Sequence, residues 1–287
     1  MRLGGPIFNT DTKNPLELVK LHQKFGFSAA YCRYIEDPYE REEFKHAFRE
    51  ADIVLAELGA YCLNISDPDP KQREKNITEI MKRLHQAEEM EAICCVMHGG
   101  SYNNSGCVKA HPENFSEENI EHNIKTIQRI LDEVKPKKTK LVLETESYVL
   151  PDNPELYLRM VKDINRPGFA VHLDPVNMIQ SPRRVYYSGD FIRECFAKLG
   201  PYIMSCHAKD INLIDHAVVQ ITETYVGNGT LDYNVYLTEL NKLSHEPPLM
   251  IEHLTREQLP VALNFLFAKA EELGLQFKHA EKRELRS

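Results

Sequence analysis

Four residues stand out by where they fall. Glu144 closes the apolar run "KLVLE", Asp174 closes "GFAVHLD", His207 closes "YIMSCH" and Glu252 closes "PLMIE". If these four meet, three carboxylates share one small volume, and they cannot all stay ionised there without a compensating cation. A divalent metal is the simplest such cation. Oxygen-rich ligation with one imidazole suits Mn²⁺ first, with Mg²⁺, Co²⁺ or Zn²⁺ as alternatives. It does not suit a structural zinc, which prefers thiolates. Glu146 shares the parity of Glu144 and is an alternative ligand.

The elements that would bring the four together are legible in outline. Short apolar runs alternate with amphipathic helices. The clear runs are "AICCVMH", "KLVLE", "GFAVHLD", "YIMSCH" and "PLMIE"; weaker ones are "RLGGPIF", "GFSAAYC" and "AYCLNIS". Helix starts are marked by Asn14-Pro15, Asn153-Pro154 and Ser116, and by a capping box from Thr255 to Gln258; Gly26 and Gly274 mark two helix ends. Continuously apolar strands separated by helices indicate a parallel sheet covered on its outside. Eight such units in 287 residues predict an α/β fold, a single (β/α)8 TIM barrel occupying residues 1–287. The first strand is not followed by a glycine-rich dinucleotide fingerprint, which disfavours an open doubly wound sheet. In a parallel barrel all carboxyl ends meet at one mouth, where active sites of this fold lie. Side chains alternate across a strand. That places Val142 and Glu144 inside, then Ile203, Ser205 and His207, then Met250 and Glu252. His172 shares the parity of Asp174 one layer deeper, in a supporting role.

Other residues belong around this mouth. His98 ends the fourth strand and is expected to line the site. Arg33, at the end of the second strand, is a candidate anion contact. His253 follows Glu252 and could meet a substrate oxygen. Asp210 could orient a ligand or cap a turn. Lys209 is read as facing outward, solvated or paired within a loop. "HGGSYNNSGC" has the composition of a loop over the site, and "DINLIDHAVVQITETYVGNG" either shapes the pocket or packs against another subunit.

Composition bounds the function. The net charge of −8 disfavours general nucleic-acid binding. No apolar stretch is long enough to span a membrane or to act as a signal peptide. The seven cysteines, several inside apolar runs, read as free thiols in a reducing cytosol. A cytoplasmic location is therefore expected.

The motifs "LVLE", "VHLDPVN", "CHAKD" with a later "GNGTLD", and "MIEHL" resemble those of the xylose isomerase-like TIM-barrel superfamily over nearly the whole chain. This superfamily includes sugar phosphate isomerases and epimerases, ketose 3-epimerases, inosose dehydratases, hydroxypyruvate isomerases and apurinic-site endonucleases. The resemblance implies metal ligation by Glu144, Asp174, His207 and Glu252. It implies that Glu144 and Glu252 also exchange the proton at the reacting carbon of a small sugar-like substrate, through an enediolate. It implies a homo-oligomer as well. Two departures narrow it. Asn177 stands where the endonuclease branch carries a further zinc-binding histidine, and could instead contact substrate. Leu213 stands where ketose 3-epimerases place a substrate-binding arginine. The expected activity is a divalent-metal-dependent isomerase or epimerase. A metal-dependent dehydratase or lyase is the alternative, ahead of a phosphodiesterase or a barrel without chemistry.

Overall fold

A computed structural model describes residues 1–8 and 11–280. Helix starts follow one recurring device, a short polar cap ahead of proline. Asn14, Asp37, Asp69, Asn153 and Ser181 each accept a hydrogen bond from a first-turn backbone N–H, and each precedes a proline. The proline lacks an N–H where none has an intrahelical partner, and its φ already suits the helix. The helices are α1 (Pro15–Phe25), α2 (Pro38–Glu50), α3 (Pro70–Glu89), α4 (Glu117–Val134), α5 (Pro154–Ile164), α6 (Pro182–Tyr186), α7 (Ser188–Leu199), α8 (Tyr233–Asn241) and α9 (Leu259–Glu272). Helix α9 starts later than its sequence signal. Gln258 Oε1 accepts from the Thr255 N–H at 2.7 Å, but the intervening residues form a turn rather than a first helical turn.

The strands are β1 (Leu3–Gly4), β2 (Ala29–Cys32), β3 (Val54–Gly59), β4 (Cys94–Met97), β5 (Lys140–Glu144), β6 (Phe169–Leu173), β7 (Ile203–Ala208), β8 (Asp210–Ile214), β9 (Gln220–Thr224) and β10 (Leu249–Ile251). Eight of them close a parallel barrel in the order β1-β10-β7-β6-β5-β4-β3-β2, and β8 and β9 form a separate antiparallel hairpin. The chain is a (β/α)8 TIM barrel. Strand alternation splits its apolar residues into two sets. Cys94, Val96, Val142 and Ala170 pack inside the barrel, as do Ala29, Ala56 and Met250 nearer β1. Leu141, Leu143, Val171, Leu173 and Cys206 join the larger core beneath the helices.

Two expectations fail here. The third strand is Val54–Gly59 rather than the "AYCLNIS" run that follows it. Glu57 interrupts its apolar pattern, and the next residues form a loop in which Asn64 Oδ1 accepts from the N–H groups of Ser66 and Ser101. Ile203 does not face inward. The β6–β7 register slips between Val171 and His172, so that Val171 pairs with Ile203 and His172 with Ser205. Met204 is the extra residue; it packs against the interior cluster, and Ile203 joins the outer core. The parity of Ser205 and His207 is unaffected.

Candidate metal centre

The barrel alternation turns Glu144, Asp174, His207 and Glu252 toward one point at the carboxyl end. Their ligand atoms all lie within 4.8 Å of one another. His207 Nδ1 is 3.0 Å from Glu144 Oε1, 3.0 Å from Glu252 Oε2 and 3.8 Å from Asp174 Oδ2. Its other nitrogen, Nε2, lies 3.2 Å from Glu57 Oε2. Glu57 Oε1 accepts from His172 Nε2 at 3.0 Å and from the Ser205 hydroxyl. An imidazole that gives its Nε2 proton to a carboxylate offers its Nδ1 lone pair to a cation, as metal-bound histidines commonly do. Glu57 is one of the site groups that sequence reasoning missed. It is 1% exposed in the middle of β3.

Lys209 does not face outward. It is 1% exposed, and its Nζ lies 2.8 Å from Asp174 Oδ2, 2.8 Å from Glu252 Oε1 and 3.1 Å from Glu223 Oε2. Residues 207 and 209 share strand parity, so the alternation that turns His207 inward also turns Lys209 inward. Its ammonium gives the carboxylate cluster a built-in countercharge and ties the β8–β9 hairpin to the centre through Glu223. The ion pair with Asp174 lacks hydrogen-bond geometry, so the buried Oδ2 makes no hydrogen bond. With carboxylate oxygens and an imidazole nitrogen as donors, the four residues fit a hard or borderline divalent ion.

Electrostatics follow from burial and pairing. Burial alone would raise the carboxyls of Glu57, Glu144 and Glu252. His172 and then His207 at Glu57, and His207 at Glu144 and Glu252, outweigh it and hold all three low, Glu252 at about 2. Burial would lower His207, but Glu252, Glu144 and Glu57 hold it above its ordinary value. Glu146 goes the other way, pushed up to about 7 by burial and the neighbouring Glu144 charge. His98 Nε2 lies 3.4 Å from Glu144 Oε2 and 3.5 Å from Glu146 Oε1. Against the pull of burial, contacts with Cys107 and Glu144 lift His98 to about 10.

Above these groups lies a cavity of about 460 Å³. Glu144, Glu146, His207, Glu252, His98 and His253 line it, together with Tyr31, Tyr61 and an apolar rim of Phe8, Val108 and Leu254. His253 holds Glu223 Oε1 at 2.8 Å from its Nδ1 and stays half exposed. The remaining sequence candidates fall elsewhere. Arg33 lines an adjoining cavity of about 370 Å³, where it donates to the Lys13 carbonyl at 2.8 Å and lies over the Phe44 ring. Asn177 braces the β5 and β6 ends by donating to the Thr145 carbonyl at 2.9 Å.

Asp210 organises a turn. It is 1% exposed, and its oxygens accept from the N–H groups of Ile211, Gly227 and Leu231 at 2.9, 3.0 and 2.9 Å. A Cβ on Gly229 would overlap Asp210 Oδ1. Asp232, at the end of the same motif, caps α8 by accepting from Val235 N–H at 3.0 Å. The "GNGTLD" signature therefore builds the return from β9 to α8. Gly229→Ala should lower unfolding free energy by about 1–3 kcal/mol through overpacking against Asp210. A denaturant titration checks this, and an unchanged midpoint would show that Asp210 can yield.

Comparison with known proteins places the fold. A family model described as the xylose isomerase-like TIM barrel matches residues 19–272. No curated protein matches the chain. Among solved structures, endonuclease IV from Thermus thermophilus is similar at a TM-score of 0.72 and 15% identity, covering 95% of this chain and 100% of that one. The probable 3-DHS dehydratase AsbF involved in petrobactin synthesis, from Bacillus anthracis, is similar at 0.69 and 17%, covering 96% and 100%. D-psicose 3-epimerase with D-tagatose, from Clostridium cellulolyticum H10, is similar at 0.65 and 14%, covering 96% and 98%. At such identities the likeness is one of fold. With the family match spanning most of its length, this chain belongs to the xylose isomerase-like TIM-barrel family.

Proposed function

We propose that this protein is a divalent-metal-dependent isomerase or epimerase acting on a small polyhydroxylated carbonyl compound. The observation that carries the reading is the placement of Glu144 and Glu252. Glu144 ends β5 and Glu252 directly follows β10, strands separated in the ring by β6 and β7, yet both reach to 3.0 Å of the same His207 nitrogen at the floor of the cavity. Glu144, Asp174, His207 and Glu252 would hold the metal. When bound, a divalent ion, Mn²⁺ in this proposal, supplies electrophilic pull on a substrate carbonyl oxygen. One carboxylate removes the proton beside the carbonyl, giving an enediolate, and the other returns it. Glu57 keeps His207 in the required tautomer, and the Phe8, Val108 and Leu254 rim limits water at the reacting carbon.

To test it, the Mn²⁺-loaded protein is incubated in deuterated water with ketoses, aldoses and inososes. Deuterium at one carbon, with the substrate skeleton intact, is the expected result. No exchange into any of them, from protein shown to contain metal, would remove the reading. A dehydratase is the second reading, and Glu146 favours it. A carboxyl near 7 at the cavity wall can protonate a departing hydroxyl. Loss of water from the product separates the two.

Metal should also stabilise the fold, because it binds a site that the unfolded chain lacks. At Mn²⁺ 100-fold above its Kd, stabilisation is about 2.7 kcal/mol, and Tm should rise by about 4–5 °C over metal-stripped protein. A melting curve that is the same with chelator and with Mn²⁺ would show that the quartet is not occupied.

A further inference from the structure

We propose that the substrate carries an oxyanion, a phosphate or a carboxylate, at the end remote from its carbonyl, and that Arg33 and Lys13 receive it in the cavity beside the candidate metal centre. This deepens the isomerase or epimerase reading of that centre and rests on it. The two cavities, of about 460 and 370 Å³, share Pro6 and Tyr31 as lining residues. The first has the candidate metal ligands Glu144, His207 and Glu252 in its lining, and the second has Arg33 and Lys13.

Strand β2 sets the spacing between the two. Tyr31 packs against the interior cluster of Ala29, Ala56 and Met250, whereas Cys32 packs against the outer core. The Tyr31 ring lies 6.4 Å from the His207 ring, so this residue stands beside the ligand layer. Arg33 has the same parity two residues on, about 7 Å nearer the mouth. A chain of a few carbons spans that step. A compound with its carbonyl at the four candidate ligands can therefore place its far end at Arg33.

Arg33 is short of acceptors. Its Nη2 donates to the Lys13 carbonyl at 2.8 Å, while its Nε is buried with no acceptor among the described residues. Buried polar groups are nearly always paired, and the planar guanidinium fork matches carboxylate and phosphate oxygens. Its charge is unmatched as well. Arg129, Arg159 and Arg166 each pair with a carboxylate on the surface. Among the described residues, neither Arg33 nor Lys13 forms an ion pair. Asp11 also lines this cavity, but it is exposed and joins neither cation. The Lys13 carbonyl and the Phe44 ring, 5.4 Å from the guanidinium carbon, hold Arg33 in place instead. Ile7, Leu18, Phe44 and Phe48 make much of the remaining wall apolar, which strengthens the pull of the two cations on an anion.

The test is calorimetric binding of D-ribulose 5-phosphate, D-fructuronate and the neutral ketoses D-ribulose and D-fructose to the full-length protein, both Mn²⁺-loaded and chelator-treated. At least one anionic compound should bind about 10- to 100-fold more tightly than its neutral counterpart, the range of a hydrogen bond to a charged group. The phosphate and carboxylate arms show which oxyanion is recognised. Arg33→Met should erase the preference in both metal states, and Lys13→Gln, at an exposed position, should reduce it. Equal affinity for anionic and neutral compounds, or a preference untouched by these substitutions, would overturn the subsite. Deuterium exchange into the same four compounds separates this from the isomerase reading. An Arg33-dependent preference with no exchange into any of them keeps the subsite and counts against the isomerase. Exchange into a neutral ketose with no such preference does the reverse.

Discussion

Replacing Glu144 or Glu252 with glutamine should each lower solvent-proton exchange into a responsive substrate by about 10²- to 10⁴-fold, the range that positioned acid–base groups contribute. Glutamine keeps the side-chain length and one carbonyl oxygen, so each variant retains a neutral donor beside His207. It cannot accept a proton at neutral pH. Metal content should therefore fall less than exchange does, because Asp174 and the unaltered glutamate keep their oxygens near His207 Nδ1. Asp174→Asn is the control. It removes a ligand charge without removing either proposed base, so its loss of exchange should track its loss of metal. Deuterium incorporation measured alongside metal stoichiometry decides the matter. Wild-type exchange in both glutamine variants would exclude them as bases. Loss in step with metal would assign them to ligation alone.

The four candidate ligands were legible because each ends an apolar run, and a strand's period of two converts that position into a direction. Helix starts were legible because caps act within three or four residues of chain. What escaped depends on distant pairing. Glu57 reads as an interruption in an apolar run, yet it is tolerated because His172, Ser205 and His207 satisfy it from 115, 148 and 150 residues away. One signal was available. An inward histidine below the ligand layer, at position 172, needs a buried acceptor. Lys209 escaped through a miscount of parity. The "GNGTLD" motif shows a different limit. Its glycines and aspartates serve the turn around Asp210, so a motif shared with a family marked scaffold as well as site.

Glu57→Gln tests whether that buried carboxylate sets up the candidate metal centre or only fills the barrel. Both oxygens of Glu57 accept: one from His172 and Ser205, the other in contact with His207 Nε2. A glutamine has one accepting oxygen and one donating nitrogen. If the amide nitrogen faces His207, it donates to Nε2, the proton moves to Nδ1, and the lone pair aimed at the quartet is lost. If the amide is turned over, His207 keeps its tautomer, and His172 and Ser205 face a donor instead. Either way a buried charged pairing is broken, and stability should fall by about 3 kcal/mol or more. The first arrangement should also weaken metal binding by about 10- to 100-fold, the usual effect of removing a group that orients a metal-bound histidine. Calorimetric metal titration measures the affinity, and ¹⁵N chemical shifts of the His207 ring report its tautomer. A variant with weakened stability, unchanged metal affinity and an unchanged His207 tautomer would reduce Glu57 to a packing role. Matched losses of affinity and tautomer would make it the residue that aims His207 at the ion.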